Sequence, residues 1–268
     1  FAQSEALAKN YFEQGEYEKA LSIYQKLVKS NPGRLDYILE TVKVHQQLEQ
    51  FSEAEALLTE QLNSRNRFPQ LYVDLGHNYS LQNKDSLASQ ANQNALQSIQ
   101  QKPNYAYYIG KTFEDYSLLD EAATTYESAM KMDPNLNFNP QLARIYGEQG
   151  KLEKMFETYL NLTQSNPSYR SVAQRNFSMY VTEDITNEAN SILRKTLLKR
   201  LQENPDVMYN ELLSWLFIQQ KEYKKAFIQE KAIYKRDGED LSGIVDLGFI
   251  ALNDDDFESA ETAFNYAI

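Results

Sequence analysis

Apolar residues along this chain recur at spacings of three and four, the mark of helices that bury one stripe. Leu7, Ala8 and Tyr11 form one stripe, and Tyr17, Ala20, Tyr24 and Leu27 form another just beyond Gly15. The pattern therefore predicts two short helices joined by a tight turn. It then repeats: Ala20, Ala54, Ala88 and Ala122 stand 34 residues apart, as do Ala226 and Ala260, and Pro32 and Pro134 lie three such periods apart. Leu7, Leu75, Ile109, Leu142, Leu213 and Leu247 each precede a small residue: Ala8, Gly76, Gly110, Ala143, Ser214 and Gly248. Tyr11, Tyr79, Phe113, Tyr146 and Phe217 follow three residues later. After each break an apolar residue opens the second helix: Tyr17, Phe51, Leu119, Leu152, Tyr223 or Phe257.

The physical content is a helical hairpin. Small residues at the crossing let two axes approach to roughly 8–10 Å, while aromatics fill the flanking space. Pro32, Pro134, Pro167 and Pro205 stop the second helix and start the next unit. One hairpin cannot bury both its faces, so neighbouring hairpins must supply the core.

This large–small–aromatic–alanine–proline order over 34 residues resembles the tetratricopeptide repeat, and the resemblance covers nearly the whole chain. It implies an all-α fold, a right-handed α-solenoid of about eight helix–turn–helix repeats. Five repeats occupy residues 1–169, an irregular and longer helical pair occupies 170–205, and two further repeats occupy 206–268, the last without a capping helix. In the second repeat Thr41, Val42 and His45 replace the usual large, small and aromatic residues, so looser packing is expected there, with His45 in the aromatic slot. Between Pro167 and Pro205 the spacing grows to 38 and the alanine is lost. A helix around Ser171–Tyr180 is expected there, then a turn with Thr182 or Asp184 as cap, then a helix from about Ile185 to Glu203 bearing Arg194, Lys195, Lys199 and Arg200. That helix is expected either to bend the array or to present a basic face to a partner.

Composition narrows the function. The chain has 268 residues, a net charge of −11 and no cysteine, so general nucleic-acid binding is disfavoured, and disulfides and cysteine-bound zinc are excluded. No apolar run is long enough to span a membrane. Neither histidine has a partner at metal-ligand spacing, and no catalytic or phosphate-binding motif occurs. The reading is a non-enzymatic scaffold with no cofactor and no metal.

The resemblance also implies where a protein partner sits, since the first helices of such repeats line a groove. The ninth repeat position carries Lys9, Lys43, His77, Lys111 and Arg144, a ladder of basic or potentially basic residues suited to an acidic peptide. Helical pairing with Glu5, Asp115 and Glu148 accounts for part of it without a ligand, whereas Lys43 faces Gln47 at the next turn. The family's lysine–asparagine carboxylate clamp is not matched, because Glu5 and Lys9 stand at its starting positions. Further on, Met208, Trp215, Ile218, Val245, Phe249 and Leu252 fall at groove positions, with Trp215 as the leading contact. The alternatives are packing within the array, a self-associating chain joined through its uncapped last repeat, and a regulatory or sensory arm of a longer protein such as a signalling protein. Phe1-Ala2-Gln3-Ser4 resembles the end of a bacterial secretory signal, so an exported, periplasmic protein is expected, with a cytoplasmic one as the alternative.

Overall fold

A computed structural model describes residues 2–64, 68–237 and 240–268. Phe1, on which the export expectation partly rests, lies outside them. The described residues form α-helices, two short 3-10 turns and connecting loops, without strands. The helices pair as expected: α1 (Ala2–Glu13) with α2 (Tyr17–Ser30), α3 (Leu35–Gln47) with α4 (Phe51–Leu62), α5 (Leu71–Ser80) with α6 (Asp85–Gln101), and α7 (Ala106–Asp115) with α8 (Leu119–Met132). Then come α9 (Asn139–Glu148) with α10 (Leu152–Ser165), α13 (Val207–Gln219) with α14 (Tyr223–Asp237), and α15 (Ser242–Asn253) with α16 (Phe257–Ala267); in the irregular repeat α11 (Arg170–Phe177) and α12 (Glu188–Glu203) both pack on α10. Two compact units result, Phe1–Phe138 and Asn139–Ile268. Within each, hairpins stack on their neighbours in the manner of an α-solenoid, for instance α2 on α3, α4 on α5, and α12 on α13.

The residues that set the period also set the helix boundaries. α2, α8, α10 and α12 end at Ser30, Met132, Ser165 and Glu203, each two residues before a proline. Six of the second helices open on the apolar residue that follows the break, Tyr17, Phe51, Leu119, Leu152, Tyr223 and Phe257. The turn inside the hairpin has its own regularity: residues 15, 49, 83, 117, 150, 221 and 255 all have φ between 55° and 76°. The amide that follows each of them bonds back across five residues to the helix end, as in Gln50 N–H to the His45 carbonyl (2.8 Å) and Leu118 N–H to the Phe113 carbonyl (2.8 Å). This left-handed stop satisfies carbonyls the helix would otherwise leave open.

Ala8, Ala20, Ala54, Ala122, Ala143 and Ala226 are fully buried at the crossings. Gly248 shows why the site is small: a Cβ there would stand 2.7 Å from the Phe264 ring. Polar links join neighbouring repeats at a common separation. Tyr37 donates its hydroxyl hydrogen to Glu5 (3.0 Å), and Gln46 Nε2 donates to Asn78 Oδ1 (3.3 Å), each across 32 residues.

Three expectations need correction. Leu7 is 47% exposed and lines a shallow depression at the seam of α1 and α2 with Ser4, Ile23 and Lys26. The second repeat is not open where looser packing was expected: Thr41, Val42 and His45 are all buried, and His45 Nδ1 lies 2.8 Å from Gln50 Oε1. In the irregular repeat α12 starts at Glu188 rather than near Ile185, and its cap is Asn187, whose side chain accepts from the Asn190 amide (3.1 Å). Asp184 instead folds the preceding turn by accepting from the Thr186 amide (2.8 Å).

Candidate ligand-binding cleft

In the first unit α3, α5 and α7 are the opening helices of three successive hairpins. Helical spacing puts Leu39, Val42 and Lys43 on one face of α3, Asp74 and His77 on one face of α5, and Thr112 and Asp115 on one face of α7, with Tyr116 at its end. Leu39, Val42, Lys43, Asp74, Thr112, Asp115 and Tyr116 enclose a cleft of about 300 Å³.

Asp74 is the unusual member. It is only 4% exposed, one helical turn after the fully buried Leu71. Its Oδ1 accepts from the Tyr116 hydroxyl (2.8 Å), while its Oδ2 is buried with no hydrogen-bond donor. Burial raises the Asp74 pKa to about 6; the Tyr116 hydrogen bond and the Lys43 charge oppose that shift, and Asp115 adds to it. Burial, followed by the Asp74 charge, drives the Tyr116 phenol far above its usual range. The Tyr116 ring is stacked on the His77 imidazole, with centroids 4.1 Å apart and planes 13° from parallel.

The predicted basic ladder is present in sequence but is locally neutralised. Lys9 approaches Glu13 (3.9 Å) rather than Glu5, which Tyr37 and Arg34 engage instead. Lys43 has a partner after all, Glu40 on its own helix at 2.7 Å. Lys111 is paired with Asp115, and Arg144 with Glu148 at 2.9 Å. His77 is half-buried, and burial pushes its imidazole pKa below the usual value, so near neutral pH this position carries no charge. Among these positions, Lys43 lines the cleft, and His77 sits behind it against Tyr116.

In the second unit Trp215 is half-buried and packs near Phe177 (centroids 6.4 Å), while Ile218, Met208 and Val245 are half-buried as well. Phe249 is exposed, with its ring edge-on to Phe264 at 5.1 Å, and Leu252 is also exposed. The basic residues Lys195, Lys199 and Arg200 of α12 line a shallow depression together with Glu153 and Glu157 of α10, so this face has acidic company.

Asp74 and Tyr116 were not among the predicted site residues. A signal exists for Asp74, a lone carboxylate inside the apolar stretch Leu71–Gly76 where the repeat expects burial. Tyr116 lies in a turn, where no periodicity marks it.

The hairpin geometry within each unit defines an all-helical repeat fold of the α-solenoid class, and residues 11–75 match the tetratricopeptide repeat family model. Among curated proteins, the general transcriptional corepressor trfA of Dictyostelium discoideum is 26% identical over 121 residues, which is 44% of this chain and 9% of the corepressor. The protein O-mannosyl-transferase TMTC1 of Homo sapiens is 25% identical over 197 residues, 72% of this chain and 21% of that protein. The chain thus spans only a small part of these relatives. A tetratricopeptide repeat protein structure from Parabacteroides merdae covers 94% of this chain and 98% of its own, at 12% identity and a TM-score of 0.37.

Proposed function

We propose that this chain is a protein-binding scaffold whose first unit holds a peptide, or a flexible segment of a partner, along α3, α5 and α7. Tetratricopeptide repeats generally mediate protein–protein interaction, and the fold typically serves as a non-catalytic scaffold, so the question left for the site is where and how it grips. The observation that carries the proposal is the cleft itself, which takes walls from three consecutive hairpins and sets apolar surface beside a buried carboxylate. An extended segment lying across three opening helices would meet one wall per repeat. The test uses the whole chain and an array of degenerate peptides carrying a photo-reactive group. Cross-links concentrated on α3, α5 and α7 support the reading. Absence of cross-links, or their scatter over the second helices, overturns it.

The basic ladder favours an acidic segment in principle, but its cations already have carboxylate partners on their own helices. Exposed pairs of this kind are worth about 0–1 kcal/mol each, so a ligand carboxylate gains little by displacing them.

A further inference from the structure

We propose that the cleft between α3, α5 and α7 is a subsite for a cationic side chain, a lysine or arginine of the bound segment, whose charged head donates to Asp74 Oδ2. This deepens the scaffold reading and rests on it for the identity of the ligand as a peptide. The argument begins from an unmet need. A carboxylate oxygen buried without a donor is costly, and a protein interior rarely leaves one so. The Tyr116 hydroxyl satisfies only the other oxygen. Lys43, the nearby cation that lines the cleft, is held by Glu40 at 2.7 Å. The acceptor is therefore buried and without a donor, on a residue that lines a cleft of about 300 Å³.

The remaining walls select what enters. Leu39, Val42 and the Tyr116 ring present apolar surface that suits the methylene stem of a long basic side chain. Stacking on His77 holds the Tyr116 ring in place from behind, and the imidazole there adds no positive charge that would repel the guest. Asp115 lines the cleft as well and is paired with Lys111, so an anionic guest finds no unclaimed cation on that side. A metal ion is poorly served: no group of three His, Cys, Asp or Glu side chains converges anywhere among the described residues.

The experiment is an NMR titration of the labelled full chain, following the Tyr116 and His77 ring signals and the Asp74 carboxyl carbon. The probes are the Nα-acetyl methylamides of lysine, arginine, norleucine and glutamate. The lysine or arginine probe should shift these signals saturably, and the uncharged norleucine probe, which keeps the stem, should bind about tenfold more weakly. Asp74→Asn should cost a similar factor for the basic probes. Lys43→Met, an exposed substitution that leaves the core intact, should strengthen their binding by about two- to threefold by removing a like charge from the cleft wall. Equal response to lysine and norleucine overturns the proposal, as does binding of glutamate that Lys43→Met weakens. If Asp74→Asn does not fold, the norleucine comparison and Lys43→Met decide alone. Failure here is separable from failure of the scaffold reading. Peptides that cross-link to α3, α5 and α7 without preference for lysine or arginine sink the subsite only. Saturable binding of the lysine probe with no peptide cross-link sinks the peptide groove only.

Discussion

At the scale of single residues, Asp74 shows how a site can be marked by what it costs the fold. Its pKa rises from 3.8 to about 6 on folding, so the folded chain holds this proton more tightly than the unfolded one. The contribution of that proton to stability is fully present below 3.8 and is lost as pH rises through about 6. Lys43 from α3, and Asp115 and Tyr116 at the end of α7, line the same cleft; the Tyr116 hydrogen bond and the Lys43 charge hold the pKa down and Asp115 pushes it up, but burial dominates. A shift of this size corresponds to about 3 kcal/mol. Urea unfolding of wild type and Asp74→Asn on either side of the window should therefore show the variant gaining about that much relative to wild type as pH rises. A stability difference that does not change with pH would mean that Asp74 titrates as an ordinary surface acid.

At the scale of elements, the seven left-handed turns supply a direct test of how the hairpins are closed. Gly15 and Gly150 adopt the conformation freely, whereas Glu49, Ser117 and Lys221 adopt it with φ of 57°, 58° and 55° and carry a Cβ. Each of Glu49→Gly, Ser117→Gly and Lys221→Gly should stabilise the chain by up to about 1 kcal/mol, read as a rise in melting temperature. The irregular repeat uses a different closure. There Asn190, fully buried, accepts from the Thr182 amide (3.2 Å) and donates to the carbonyls of Thr182 and Asp184 (2.8 Å each). Asn190→Ala removes three bonds between a buried side chain and the loop backbone and should cost about 2–4 kcal/mol, with proteolytic cutting between Val181 and Asn187 as the local readout. The contrast explains what was legible in advance. Ala54, Phe51 and Pro134 announce their positions because crossing, helix start and helix stop each need a residue type at a fixed spacing. The Asn190 staple joins residues six and eight apart through a loop, so no period points to it. Lys43 pairs with Glu40 one turn back on α3, whereas the sequence sets it against Gln47 one turn ahead; helical neighbours lie in both directions.

At the scale of the whole molecule, 27 basic residues against 38 acidic ones leave a net charge of −11, and this field acts on any charged partner before contact. The ladder read from the sequence, Lys9 to Arg144, argues for an acidic partner only if those cations are unpaired, and side-chain geometry, which sequence does not carry, shows them tied to carboxylates. What the molecule offers a ligand is therefore decided by its net charge outside the cleft and by Asp74 within it, and both favour a cation. Steering of this kind shows in association rates more than in affinities. A lysine-bearing peptide should associate about tenfold more slowly when salt is raised from low to physiological strength, while a glutamate-bearing counterpart of the same length should associate faster as its repulsion is screened. Stopped-flow measurements on the two peptides decide the matter by sign. An acidic peptide whose association slows with added salt would mean that the ladder, in spite of its local pairs, governs the approach.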